Sequence, residues 1–175
     1  MANAILTGVE TTFLENEIIV SKTDLTGKLV YGNRTFYKMA GMDEKECIGK
    51  QHNIIRNPDM PRSVFDLLWD NIKGGNEIFA YVNNRAKNGD NYWVLAHVTP
   101  SRDRNNQIVG YHSNRRSPNK SIITDKIIPL YKDLMSIEQS AASPKDGLNN
   151  ARKKIDEILR DTKMEFNQLI FSMGV

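Results

Sequence analysis

The spacing of apolar side chains changes period several times along the chain, and each change predicts a different element. Residues 1–16 carry Ile5, Leu6, Val9, Phe13 and Leu14 at helical spacing, which predicts a short amphipathic N-terminal helix whose greasy face needs a partner. Two β-rich runs follow, EIIVSK at 17–22 and KLVYG at 28–32, and the turn Asp24-Leu25-Thr26-Gly27 between them makes a hairpin. Asn33 can cap a helix that runs to Met39 and stops at Gly41. A helical turn over 43–48 ends at Gly49, and Pro58 and Pro61 break residues 50–61 into irregular pieces. A longer helix then starts at Pro61, sets Val64, Leu67, Leu68 and Ile72 on one side, and ends at Gly74-Gly75.

From residue 77 the period becomes two. Residues 78–87 and 91–101 flank Asn88-Gly89, the strongest short hairpin signal, and a polar loop at 102–106 leads to a third strand over 108–116. Two strands, several small helices, one longer helix and three strands predict an α+β domain with one antiparallel sheet, helices covering one face. After Pro118 the pattern is helical again, from about 124 to 140 with Pro129 in the first turn, and Ser143-Pro144 marks a break. Leu148, Ala151, Ile155, Ile158, Phe166, Leu169 and Met173 then recur at spacings of three and four, with a gap at Thr162. This C-terminal helical hairpin either covers the sheet or offers its seam to a partner. The organisation is therefore an N-terminal helix at 1–16, a central domain at 17–118 and a helical extension at 119–175.

Composition narrows the setting. In 175 residues, 39% apolar and 26% charged side chains suit one soluble core. The net charge of +3 arises from 24 basic and 21 acidic residues that are interspersed, which argues against nucleic acid as a partner. No run approaches the roughly 20 apolar residues of a membrane span, and the N-terminus lacks a signal-peptide pattern, so no direct membrane insertion is expected. The single cysteine, Cys47, suits a reducing cytoplasm and reads as a buried spectator thiol. A glycine-rich phosphate loop, a nucleophile elbow, a His-Glu-x-x-His motif and a cysteine pair are all missing, so no enzyme site can be assembled; three scattered histidines make a poor metal site.

The densest chemistry lies in His52 to Met60, HNIIRNPDM. Its Arg56, Asn57 and Asp59 either converge at the mouth of a pocket, or Arg56 and Asp59 pair to hold the loop. Strand parity sets Ile78, Ala80, Val82 and Asn84 on one inward face. An amide in an apolar row must be bonded, either to backbone or to the polar edge of a flat heterocycle, since a carboxamide both donates and accepts. The same parity on the last strand groups Ile108, Gly110, His112 and Asn114, which would turn His112 to the cavity, with Gly110 leaving room for a close approach. Trp69 and Trp93 either stack on a ligand or belong to the core.

Three strings together, HNIIRNPDMPRSVFDLLW, NNRAKNGDNYWV and GYHSNRR, resemble the PAS domains of Aer- and CetB-type energy-taxis sensors over about residues 17–118, and more loosely at Pro129-Leu130-Tyr131-Lys132 and residues 166–173. The resemblance implies a cytoplasmic five-stranded PAS fold that binds FAD noncovalently and reports redox state to a chemoreceptor-type signalling protein, without turnover; a homodimer is the expected assembly. Asn33, Arg56 and Asp59 match positions tied to FAD binding or signalling in that family, and Asn84 matches the asparagine used against the ring. Asn57 stands where the motif has histidine, and Ile78 where flavin-binding members often carry tryptophan, an Ile-Phe-Ala arrangement shared with CetB-like sequences. Two alternatives remain open at this level: a heme b gas sensor with His112 or His52 as axial ligand, and a cofactor-free interaction module that fills its own pocket.

Overall fold

The computed structural model describes residues 5–174. Its centre is a five-stranded antiparallel sheet of β1 (Ile19–Thr23), β2 (Leu29–Gly32), β3 (Ile78–Arg85), β4 (Asn91–Arg102) and β5 (Ile108–Arg116), in the order β2-β1-β5-β4-β3. Local chemistry fixes each connection. Asp24 closes the first hairpin, its Oδ1 accepting from the Thr26 and Lys28 amides at 2.8 and 2.9 Å. Asn33 caps α1 (Arg34–Ala40), which Gly41 ends in the left-handed conformation at φ 64°. A reciprocal Asp43–Glu46 capping box opens α2 (Glu44–Cys47), and a 3₁₀ turn at His52–Ile55 leads to α3 (Arg62–Lys73).

Directly opposed residues of the ladder share a face. The register aligns Ala80, Ala96, Arg115 and Ile19 in one row, and Ile78, Val98, Ser113 and Ser21 in the next. A third row joins Pro100, Tyr111 and Thr23. This face looks toward α1, α2, the 3₁₀ turn and α3. Buried Ile19, Phe36, Ile55, Val64, Ile72 and Val94 form the core between the layers.

The end of the sheet at β3 would leave unpaired backbone groups, a hazard that proteins cover or block. Here the C-terminal segment covers it. After α4 (Lys120–Ile122) and a π-helical turn at Ile123–Ile127 comes α5 (Ile128–Ser140), whose Tyr131 hydroxyl donates to the Tyr81 carbonyl at 2.6 Å. α6 (Pro144–Thr162) turns back, Lys163 breaks it with φ 55°, and α7 (Phe166–Ser172) brings the Asn167 side-chain oxygen within 2.8 Å of the Phe79 amide. The break at Lys163 explains the gap at Thr162 in the apolar seam. No helix among the described residues is long and apolar enough to cross a membrane.

The N-terminal expectation is corrected. Residues 1–4 lie outside the described residues, and residues 5–16 form an extended strap, not a helix. The Thr7 and Thr11 amides donate to the Gly89 and Asn91 carbonyls at 3.1 and 2.8 Å, and the Asn91 amide donates to Val9 at 2.9 Å. Gly8, at φ 74°, interrupts the helical register, and the open start of β4 offers the strap the hydrogen bonds a helix would have made internally. Phe13 is the strap's buried anchor.

Candidate functional site

A cavity of about 400 Å³ lies between the sheet and the layer of α3 and the 3₁₀ turn, in the size range of small-molecule sites. Ile55, Phe65, Leu68, Ile72, Val82, Ala96 and Val98 give it apolar walls. Polar groups gather at two ends. Asn84 and Arg56 meet at one, where their backbones form an isolated bridge; Ser21, Thr23, Ser113, Arg115 and His52 line the other. From the register, Asn84 and Arg115 stand about four residues apart along the strands and two strands across, roughly 13 Å by 10 Å.

Asn84 is 4% exposed, and its Nδ2 has no hydrogen-bond partner. Thr23 Oγ1, Ser113 Oγ and Arg115 Nη1, buried around the same cavity, are equally unpartnered. Native interiors rarely leave such groups unmet, so four of them around one cavity describe the complement of a ligand with an apolar body and polar edges. Arg56 lies with its guanidinium carbon 4.1 Å from the Phe65 ring centroid, and burial lowers its pKa. Trp69 meets Tyr111 edge-on, with ring centroids 5.4 Å apart, in the wall at the far end.

Half-buried His52 and buried Arg115 form a pair at this end of the cavity. Arg115 Nη2 is 2.6 Å from both Ser21 Oγ and His52 Nε2. Burial, then the neighbouring cation, holds the imidazole neutral with its pKa pushed down to about 3. Burial likewise brings the guanidinium down to about 10.

Of the residues expected at the site, Arg56, Trp69, Asn84 and His112 line the cavity. Asn33 does not: its Oδ1 accepts from the Val20 and Phe36 amides at 3.0 and 2.9 Å and its Nδ2 donates to the Ile18 carbonyl at 2.7 Å, which ties α1 to β1. Asn57 is buried and holds the loop through its Oδ1 and the Asp59 amide, at 2.9 Å. The side chain of Asp59 is exposed and, among the described residues, forms no ion pair with Arg56. Ile78 is on the cavity face but packed into the core, and Trp93 lies on the opposite face, 6.1 Å from the Tyr131 ring.

His112 is corrected too. It borders the cavity, but the register pairs it with Lys22 and Thr99 on the outward face, where its Nε2 lies 3.2 Å from Asn114 Oδ1. The inward residues of β5 are Tyr111, Ser113 and Arg115. A β-carbon on Gly110 would collide with the Thr23 carbonyl, so the close approach at that glycine is made by β1 and not by a ligand. Cys47 is buried away from the cavity, its Sγ 4.0 Å from Met42 Sδ, and burial raises its pKa. No cluster of three or more His, Cys, Asp or Glu side chains that could hold a metal ion occurs among the described residues.

Known proteins place this geometry in context. The family described as PAS fold matches residues 29–115. The aerotaxis receptor of Escherichia coli (strain K12) is 37% identical over 130 residues, which is 74% of this chain and 25% of the receptor, so the chain spans about a quarter of that relative. Among solved structures, the light state of the blue-light photoreceptor Aureochrome1 LOV superposes with a TM-score of 0.56 at 22% identity, covering 68% of this chain and 91% of that one. A light-oxygen-voltage domain studied with a flavin analogue superposes with a TM-score of 0.56 at 14% identity, covering 66% of this chain and 87% of that one. These two likenesses establish the fold alone.

Proposed function

Since the chain belongs to the PAS-fold family, with a sensor domain of the aerotaxis-receptor type, we propose that it holds a flavin, FAD, in the cavity and signals the flavin's redox state. The observation that carries this reading is the set of unpartnered buried groups, Asn84 Nδ2 above all, around an apolar-walled hollow. Flat, apolar-bodied and polar-edged, an isoalloxazine fits that donor set, and the similarity to the aerotaxis receptor supports the redox role. When bound, the flavin supplies the electron and proton exchange, and the protein supplies position and electrostatics. Asn84 holds the ring by an amide that can donate or accept, and so can rotate when the hydrogen-bonding pattern at the ring edge changes. Arg56 and Trp69 hold the cofactor's flanks.

No nucleophile with a base and an orienting group lines the cavity, and turnover is not part of the proposal. Heme is disfavoured because the His112 ring faces outward and His52 Nε2 is engaged by Arg115 and Ser21.

The output runs through the C-terminal helices to a chemotaxis-type signalling partner in the cytoplasm. Leu148 of α6 lines the cavity, and Glu138 of α5 caps the first turn of α3, the helix that supplies Phe65, Leu68, Trp69 and Ile72 to the wall. A shift at the wall therefore reaches both helices directly. Purified protein should show the two-band visible spectrum of oxidised flavin, and acid-released cofactor should co-elute with FAD. A single intense heme band, or colourless protein that takes up no added FAD, would overturn the reading.

A further inference from the structure

Arg115 is the only charged residue in the buried set of the described residues, 3% exposed, and no carboxylate answers it. Its Nη2 is shared between a serine hydroxyl and a neutral imidazole, and its Nη1 has no partner. The Phe36 ring lies 5.8 Å from the guanidinium. Tyr92 is no counter-charge, since burial raises its phenol above the ordinary range. Asp66, the one carboxylate that lines the cavity, is held by Arg152 at 2.8 Å. A buried, uncompensated cation carries a desolvation penalty of several kcal/mol, and a fold that keeps one in a cavity wall has a use for its field.

We propose that Arg115, oriented by His52 and Ser21, is an anion-recognising group of the cavity that takes the electron-rich edge of the bound ring system and favours its reduced, negatively charged form. The proposal rests on the flavin reading for its ligand, but the anion site is a property of the chain alone. His52 acts here as a positioning residue: accepting from Nη2 at Nε2, it fixes the guanidinium plane and leaves Nη1 free toward the ligand. A lysine would restore the charge without the fork.

The test uses Arg115→Met and Arg115→Lys in the full chain, with two readouts. In cofactor-free protein, benzoate serves as a planar anionic probe: it should raise the melting temperature of the wild type and of Arg115→Lys but not of Arg115→Met, which in the absence of probe should melt no lower than the wild type. In FAD-loaded protein, Arg115→Met should bind flavin yet lose at least tenfold of the preference for the reduced state, a downward shift of about 30 mV or more for a two-electron couple. Equal benzoate stabilisation in wild type and Arg115→Met, or an unchanged midpoint potential in flavin-loaded Arg115→Met, would overturn the proposal and leave the flavin reading standing. Benzoate stabilisation confined to the proteins that keep the charge, in a chain that takes up no FAD, would support the anion site and remove flavin as its ligand.

Discussion

Glu138 is one of the points where the helical extension is fastened to the PAS-fold domain, and its removal gives a prediction that can be worked from the structure. The first turn of α3 has no side-chain cap of its own, because Pro61 occupies the N-cap position. Glu138, reaching across from α5, accepts from the Arg62 and Ser63 amides at 3.0 and 2.8 Å and from Arg62 Nε at 3.2 Å. Its side chain is 7% exposed, so water does not compete, while Arg62, at 42%, is half in solvent and adds little. A charge-assisted hydrogen bond to a buried carboxylate is worth about 1.5–3 kcal/mol, and loss of a helix cap costs about 1 kcal/mol. The two amide bonds are one cap and not independent, so Glu138→Ala should destabilise by about 2–4 kcal/mol, and Glu138→Gln by about half of that. Urea unfolding followed by circular dichroism gives the stability, and amide hydrogen exchange should show the Arg62 and Ser63 amides and α5 opening more often while β4 and β5 stay protected. A loss below about 0.5 kcal/mol, with unchanged exchange at those two amides, would refute the claim that Glu138 fastens the extension to the cavity wall.

Two further consequences follow from buried polar groups. His52 is neutral in the folded state with its pKa near 3, against an ordinary 6.5, so the unfolded chain binds the proton more readily and stability is fully present above about pH 6.5 and falls as pH drops toward 3. Between pH 6.5 and 5 the loss is about 2 kcal/mol from this group, and denaturant titrations of His52→Gln over the same interval should show a flatter profile; parallel profiles would contradict the assignment. Tyr131→Phe removes the hydroxyl that meets the Tyr81 carbonyl at the β3 end of the sheet and should cost about 1–2 kcal/mol in chemical denaturation, with exchange rising in α5 before the strands; a variant as stable as the wild type would show that water replaces the hydroxyl.

Much of this architecture is legible in the sequence, because each piece is specified locally. Asn33 and Gly41 mark the ends of α1, Asn88-Gly89 makes the β3–β4 hairpin, and period-two alternation puts Asn84 on the inward face. The N-terminal strap is not legible in that way. Its apolar spacing fits a helix, and only the backbone groups at the start of β4, a tertiary feature, make the extended form better. On β5 the parity fails for a related reason. Gly110 and His112 are set by pairing with β1 and β4, and a register shift at Ser101/Arg102 lies between the polar loop and the paired stretch. Counting back from Arg115 would have grouped Tyr111 and Ser113 with it, but a buried arginine has no distinguishing sequence signal beside the exposed Arg116. Asn33 shows the converse: a residue singled out for ligand binding spends its side-chain bonds on capping α1 and on tying it to the backbone at the start of β1.

The central claim is that Asn84 meets a flavin inside this cavity, and titration of FAD into cofactor-free protein tests it most directly. Followed by quenching of flavin fluorescence, the titration should show one saturable site per chain in the wild type. Asn84→Leu, with an unchanged circular dichroism spectrum, should bind about ten- to a hundredfold more weakly, the equivalent of one buried hydrogen bond pair. Undiminished affinity in Asn84→Leu, or no binding by the wild type, would contradict the account.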